Sequence, residues 1–160
     1  MGVSGDRTEQ LAARRYELVA HRPDIAAILI GVNDVWAAYT QGIVTTDEAF
    51  ERNYRAVLSA IKENTEAKIV MLQPFLLSVE DKEIMRPDLL RKQEICRALA
   101  DEFADAYIPL DELLRSQPEE PTFYAYDGVH PTADGACLIG EACLHAMEPL
   151  IRVSDEDSEQ

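Results

Sequence analysis

Basic residues are scarce in this chain. Fifteen lysines and arginines stand against thirty aspartates and glutamates in 160 residues, a formal charge of −15. Such a surface repels phosphate backbones and anionic lipid headgroups, so neither nucleic acid nor a membrane is expected as a partner. Long apolar runs are absent too, and none approaches the roughly 20 residues that a membrane span needs. Met1 to Arg7 hold no basic segment followed by an apolar stretch, so no secretory leader is expected and the expected location is the cytoplasm. Cysteine is sparse: Cys96, Cys137 and Cys143 are odd in number and lack CxxC spacing. They read as reduced core residues, not as a disulfide framework or a zinc site. His21 and His145 have no second ligand at a defensible spacing, so no metal and no cofactor are expected.

The sequence does hold the makings of one core. Hydrophobic residues are 47% and charged residues 28% of the chain, the balance of a globular domain. One domain is expected over 1–151, followed by an acidic, frayed tail over 152–160. Good helix formers fill 8–21, with Leu11, Tyr16, Leu18 and Val19 as inward positions. Ile25–Ile30 is an apolar run without alternation, as in a strand buried on both faces. Thr45 and Glu48 have capping-box spacing. The helix they open places Phe50, Tyr54, Val57, Leu58 and Ile61 on one stripe. A second buried strand covers 68–73, a helix 87–104, a short strand 106–109, a short helix 110–115 and a last helix follows Pro131. The order α-β-α-β-α-β-α implies an α/β fold, a three-layer α/β/α sandwich on a parallel sheet. Three strands are few for that architecture, where about five are usual, and the chain reads as though its first strand or strands were missing.

Ligands of parallel α/β sheets bind at the carboxyl ends of the strands, and three polar segments fall at such positions. Gly31-Val-Asn33-Asp34 follows the first strand; it can be a turn with a cap, or a donor-bearing loop. Asp127-Gly-Val-His130-Pro131 precedes the last helix; it can be a helix entry, or a carboxylate orienting an imidazole base. Gly2-Val-Ser4-Gly5-Asp-Arg-Thr8 leads into the first helix, and its amides can face an anion.

The three segments in this order resemble the SGNH hydrolases, also called GDSL-type esterases and lipases, over residues 1 to about 150. That family carries a Gly-Asp-Ser block with the nucleophile, a loop with an oxyanion glycine, a GxND block and a final DxxHP. The resemblance implies a flavodoxin-like SGNH fold and hydrolysis of small acyl esters, acetyl groups on carbohydrates among them. It implies His130 as general base, Asp127 as its orienter, and Gly5 (backbone) and Asn33 (side-chain amide) as oxyanion-hole donors. Asp34, Trp36 and Phe75 are expected to line the substrate pocket. The partner it implies is a small-molecule ester.

The nucleophile does not follow. None of Ser4, Ser59, Ser78, Ser116, Ser154 and Ser158 lies in a Gly-Asp-Ser context. Ser4 occupies a position that the family does not use for attack. The nucleophile is therefore expected upstream of Met1, and the chain by itself is expected to be inactive. In the family the missing strand lies beside 25–30, so a second copy or an N-terminal fragment is expected to cover that edge. The alternative reading is a catalytically inactive SGNH scaffold used for binding or assembly, although a binding module has no need of an oriented base. A receiver-type domain fits the fold but lacks the acidic pocket at the first strand.

Overall fold

The computed structural model describes residues 2–156, where three strands alternate with helices. The strands β1 (Ile25–Leu29), β2 (Lys68–Leu72) and β3 (Ala106–Ile108) pair in parallel in the order β1-β2-β3. β2 is central, and its side chains alternate between two cores. Ile69 and Met71 join the cluster built with α1 (Thr8–Ala13), α4 (Asp47–Asn64) and α5 (Arg86–Phe103). Val70 and Leu72 join the cluster built with α6 (Leu110–Arg115), α7 (Pro121–Tyr124) and α8 (Ala133–Glu156). A sheet covered by helices on both faces has no polar side, which is why the strands read as unbroken apolar runs. The stripe of α4 is fully buried, with Phe50, Tyr54, Val57 and Leu58 at 0% exposure.

A third, smaller cluster sits at the carboxyl end of the sheet. Val35 of α3 (Val32–Gln41), Leu76 after β2, Leu89 of α5 and Val129 before α8 meet there. It brings the GVND segment and the DGVHP segment to one end of the fold. Among the described residues no helix is long and apolar enough to cross a membrane.

Several local expectations are corrected. The helix expected over 8–21 is broken at Arg14, whose backbone (φ −105°, ψ 18°) is not helical, and α2 (Arg15–Ala20) starts afresh. The break turns Tyr16 outward, 59% exposed, although Leu11 stays in the core. Thr46, not Thr45, caps α4, accepting from the Ala49 N–H at 3.2 Å. Cys137 is exposed and Cys143 half-buried. Only Cys96 is a core thiol, and burial pushes its pKa up to about 12. Residues 36–41 belong to α3. The acidic tail expected over 152–160 lies beyond the described residues from 157 onward.

β1 is the free edge expected beside a missing strand, but it is less buried than its apolar run implies. It is the edge of the sheet, with a partner on one side only. Of its five residues Ile28 alone is buried, and Leu29 is 44% exposed. Its second row of backbone N–H and C=O groups faces no strand among the described residues.

Candidate active site

The 125–131 segment is a closed loop. Ala125 and Pro131 form an isolated antiparallel bridge, and the Gly128 N–H donates to the Ala125 carbonyl at 3.0 Å. Gly128 has φ +84°, and a Cβ there would stand 2.8 Å from the Leu77 carbonyl oxygen, so only glycine fits. The Leu77 N–H donates to the Gly128 carbonyl at 2.8 Å, fastening the loop to the buried segment after β2.

Inside the loop Asp127 is bonded through both carboxylate oxygens. Oδ1 accepts from the N–H of Val129 at 3.1 Å and of His130 at 2.8 Å. Oδ2 lies 2.8 Å from Nδ1 of the His130 ring. With Nδ1 donating to Asp127, the neutral ring keeps its Nε2 lone pair open. The His130 side chain is 60% exposed, so a substrate can reach that nitrogen.

Partial burial works to raise the Asp127 pKa, but the His130 N–H, the His130 ring and the Val129 N–H outweigh it. The carboxyl is held below its usual value of 3.8 and stays ionised at neutral pH. The unfolded chain therefore binds this proton more tightly than the folded one. The stabilisation is complete above the unfolded pKa and is lost as pH falls through the folded value. The stability gap between the native chain and Asp127→Asn, measured by urea unfolding, is expected to shrink as pH drops from about 5 to about 3. A gap independent of pH would remove the carboxylate's charge from the account.

The N-terminal loop is tied to the start of α3 by three bonds. The Asn33 side-chain amide donates to the Asp6 carbonyl at 3.0 Å through Nδ2. An amide nitrogen carries two protons, so one remains for an oxyanion. Asp34 is only 1% exposed, and its carboxylate accepts from the Thr8 N–H at 2.9 Å and the Thr8 hydroxyl at 2.6 Å. Burial pushes the Asp34 pKa up, while the Thr8 hydroxyl and N–H pull it back. Arg14 braces the same loop from the end of α1, donating to Asp6 Oδ2 through Nη2 at 2.7 Å and Nε at 2.9 Å. Gly5 occupies the third place of a turn closed by the Asp6 N–H and the Val3 carbonyl at 3.2 Å, where its φ of +82° suits glycine.

A cleft of about 320 Å³ runs along the free edge of β1, from Ala27 to Ile30, and on to Asn33, Phe75, Val129 and Pro131. The lining is mostly apolar, with Leu11 and Leu18 contributing from α1 and α2. Of the three residues expected in a substrate pocket, Phe75 lines this cleft. Asp34 instead holds Thr8, and Trp36 stands edge-on to the His130 ring with centroids 6.3 Å apart. Asp6 and Thr8 lie in the Gly2–Thr8 segment singled out from sequence but were given no role there, and Arg14 was not singled out. Their nearest signal was a polar run before a helix, which is common to many loops.

Two of the serines have committed hydroxyls: Ser78 is bonded to Glu83 and Arg115, and Ser116 donates to the Leu113 carbonyl at 2.8 Å. Ser59 lies within α4. Ser4 sits exposed in the turn that carries Gly5.

The chain is similar to an acetylxylan esterase of Geobacillus stearothermophilus, 28% identical over 154 residues that cover 91% of this chain and 69% of the esterase. A GDSL-like lipase of Parabacteroides merdae of known structure superposes with a TM-score of 0.85 at 30% identity, covering 92% of this chain and 71% of the lipase. The crystal structure of the Geobacillus esterase superposes at 0.78 with 25% identity, over 91% of this chain and 69% of that one. The family model for GDSL-like lipases and acylhydrolases matches residues 1–137. With most of its length matched, and with the GVND and DGVHP segments folded to one end of a parallel sheet, the chain belongs to the GDSL-like lipase/acylhydrolase family.

Proposed function

We propose that the chain carries the base, the orienter and the oxyanion donors of a serine esterase acting on small acyl esters. The observation that carries this reading is the 2.8 Å contact between His130 Nδ1 and Asp127 Oδ2, with Nε2 left open at the end of the sheet that holds Asn33. His130 Nε2 takes the proton of a serine hydroxyl as its oxygen attacks the ester carbonyl. Asp127, ionised and fixed by three bonds, stabilises the imidazolium that forms. The second Asn33 amide proton and the Gly5 N–H receive the oxyanion. Collapse of the intermediate returns the proton to the departing alcohol, and water repeats the cycle on the acyl-serine. Acetyl esters of carbohydrates are the favoured substrates. The acetylxylan esterase relative supports that class, and a variant of that esterase with one serine changed to alanine is described as a catalytic mutant.

The serine itself is supplied from outside these residues, on a strand that adds to the free edge of β1. A strand in parallel with β1 would lie in the apolar cleft and end beside Asn33, Val129 and Pro131. Uncovered, β1 is a pairing edge with Leu29 exposed. Light scattering of the chain alone is accordingly expected to give species heavier than the 17.9 kDa monomer. A monodisperse monomer that unfolds cooperatively at micromolar concentration would count against this part of the proposal. The catalytic part is tested by adding an apolar strand ending in Gly-Asp-Ser at the N-terminus and changing Asn33→Ala. Loss of one oxyanion donor is expected to lower kcat for p-nitrophenyl acetate by about 10²–10³. An unchanged kcat would remove Asn33 from the oxyanion hole.

A further inference from the structure

Tyr126 has no structural reason to be where it is. It is 61% exposed, yet it directly precedes Asp127 in the loop closed by the Ala125–Pro131 bridge. Its neighbours Ala125 and Val129 are buried, so the loop has its own anchors without it. What the Tyr126 ring does touch is the His130 imidazole: the two rings stack with centroids 5.8 Å apart and planes 18° from parallel. Trp36 reaches the same imidazole from α3, edge-on at 70° and 6.3 Å. The imidazole therefore has one ring lying along it and a second meeting it at an angle, while Asp127 holds Nδ1.

The need for such a clamp follows from the exposure of His130. A single hydrogen bond to Asp127 fixes one end of the ring, and rotation about the outer side-chain torsion would swing Nδ1 away from that carboxylate. Torsions of this kind have broad wells, so the hydrogen bond alone selects orientation weakly. An aromatic face laid along the ring penalises that swing, because offset stacking is lost as the planes turn.

We propose that Tyr126 is a positioning residue for the general base, its ring face holding the His130 imidazole in the plane in which Nδ1 meets Asp127 and Nε2 stays open. This rests on His130 being the base, but its test does not use catalysis. The chain is labelled with ¹⁵N and its imidazole nitrogens are read by long-range proton–nitrogen NMR at about pH 9, where histidine is ordinarily neutral. Native His130 is expected almost wholly as the Nδ1–H tautomer. In Tyr126→Ala the ratio of the other tautomer to this one is expected to rise about two- to tenfold, the range that aromatic pair energies convert to. Tyr126→Phe keeps the ring face and is expected to retain the native ratio. Tyr126→Leu keeps bulk without a ring and is expected to behave as the alanine variant. It also serves if the alanine variant does not fold. Circular dichroism melting is expected to change little in any of the three. A native ratio in both Tyr126→Ala and Tyr126→Leu would overturn the proposal, and so would a Tyr126→Phe ratio as disturbed as that of alanine. A held imidazole in a strand-extended form that fails to hydrolyse esters would sink the esterase reading while leaving the clamp intact.

Discussion

The chain alone is expected to hydrolyse p-nitrophenyl acetate slower than its strand-extended form by a factor of about 10⁴–10⁶. A base, an orienter and two oxyanion donors without a nucleophile still bind and polarise an ester. In serine hydrolases that remainder is worth about 10³–10⁴ over water, well short of the complete set. Of the serines whose side chains the structure describes, none is expected to fill the gap. Ser78 and Ser116 are bonded elsewhere, Ser59 is in α4, and Ser4 lies in the exposed turn of Gly5. The measurement is initial-rate hydrolysis by the two forms at equal concentration. Rapid turnover by the chain alone that disappears in Ser4→Ala would make Ser4 the nucleophile and displace the strand proposal.

In the strand-extended form, changing His130→Ala is expected to lower kcat by about 10⁶, as much as removing the serine and histidine together. Asp127→Asn is expected to cost less, about 10⁴, because the imidazole remains but loses the carboxylate that fixes its tautomer. The geometry sets that order. Asp127 touches the imidazole through one 2.8 Å contact; in the proposed mechanism it acts on the substrate only through that ring, whereas His130 Nε2 meets the reacting proton. Steady-state kinetics on the two single variants and the double variant checks it. A double variant no worse than His130→Ala alone fits residues acting as one unit. Losses that multiply would assign Asp127 a separate role.

Much of this was legible in the residues, and the exceptions have physical causes. The stripe of α4 could be read because Phe50, Tyr54, Val57, Leu58 and Ile61 follow helical spacing without interruption, and all five are buried. The spacing of Asp127 and His130 across a glycine left a helix entry and an oriented base both open, and it was the resemblance to the SGNH hydrolases that implied the pair. α3 could not be read, since Gly31-Val-Asn-Asp carries turn residues at its front and a helix starts within the motif, at Val32. Tyr16 was misplaced because a one-residue break at Arg14 shifts the register of all that follows. The exposure of β1 was hidden because an apolar run marks a strand that wants burial, not one that has found it, whereas its edge position followed from the strand expected to be missing beside it. The Asp34–Thr8 bond joins residues 26 apart, a pairing that no local pattern announces.

That the chain supplies everything but the attacking hydroxyl is the proposal, and one labelling measurement tests it most directly. Both forms are incubated with a fluorophosphonate, which reacts with activated serine hydroxyls, and the modified peptide is located by mass spectrometry. The account predicts a single adduct, on the serine of the added strand, that depends on His130 and is absent from the chain alone. An adduct on Ser4 or on any other serine of the chain, or none on the added strand of a folded strand-extended form, would contradict it.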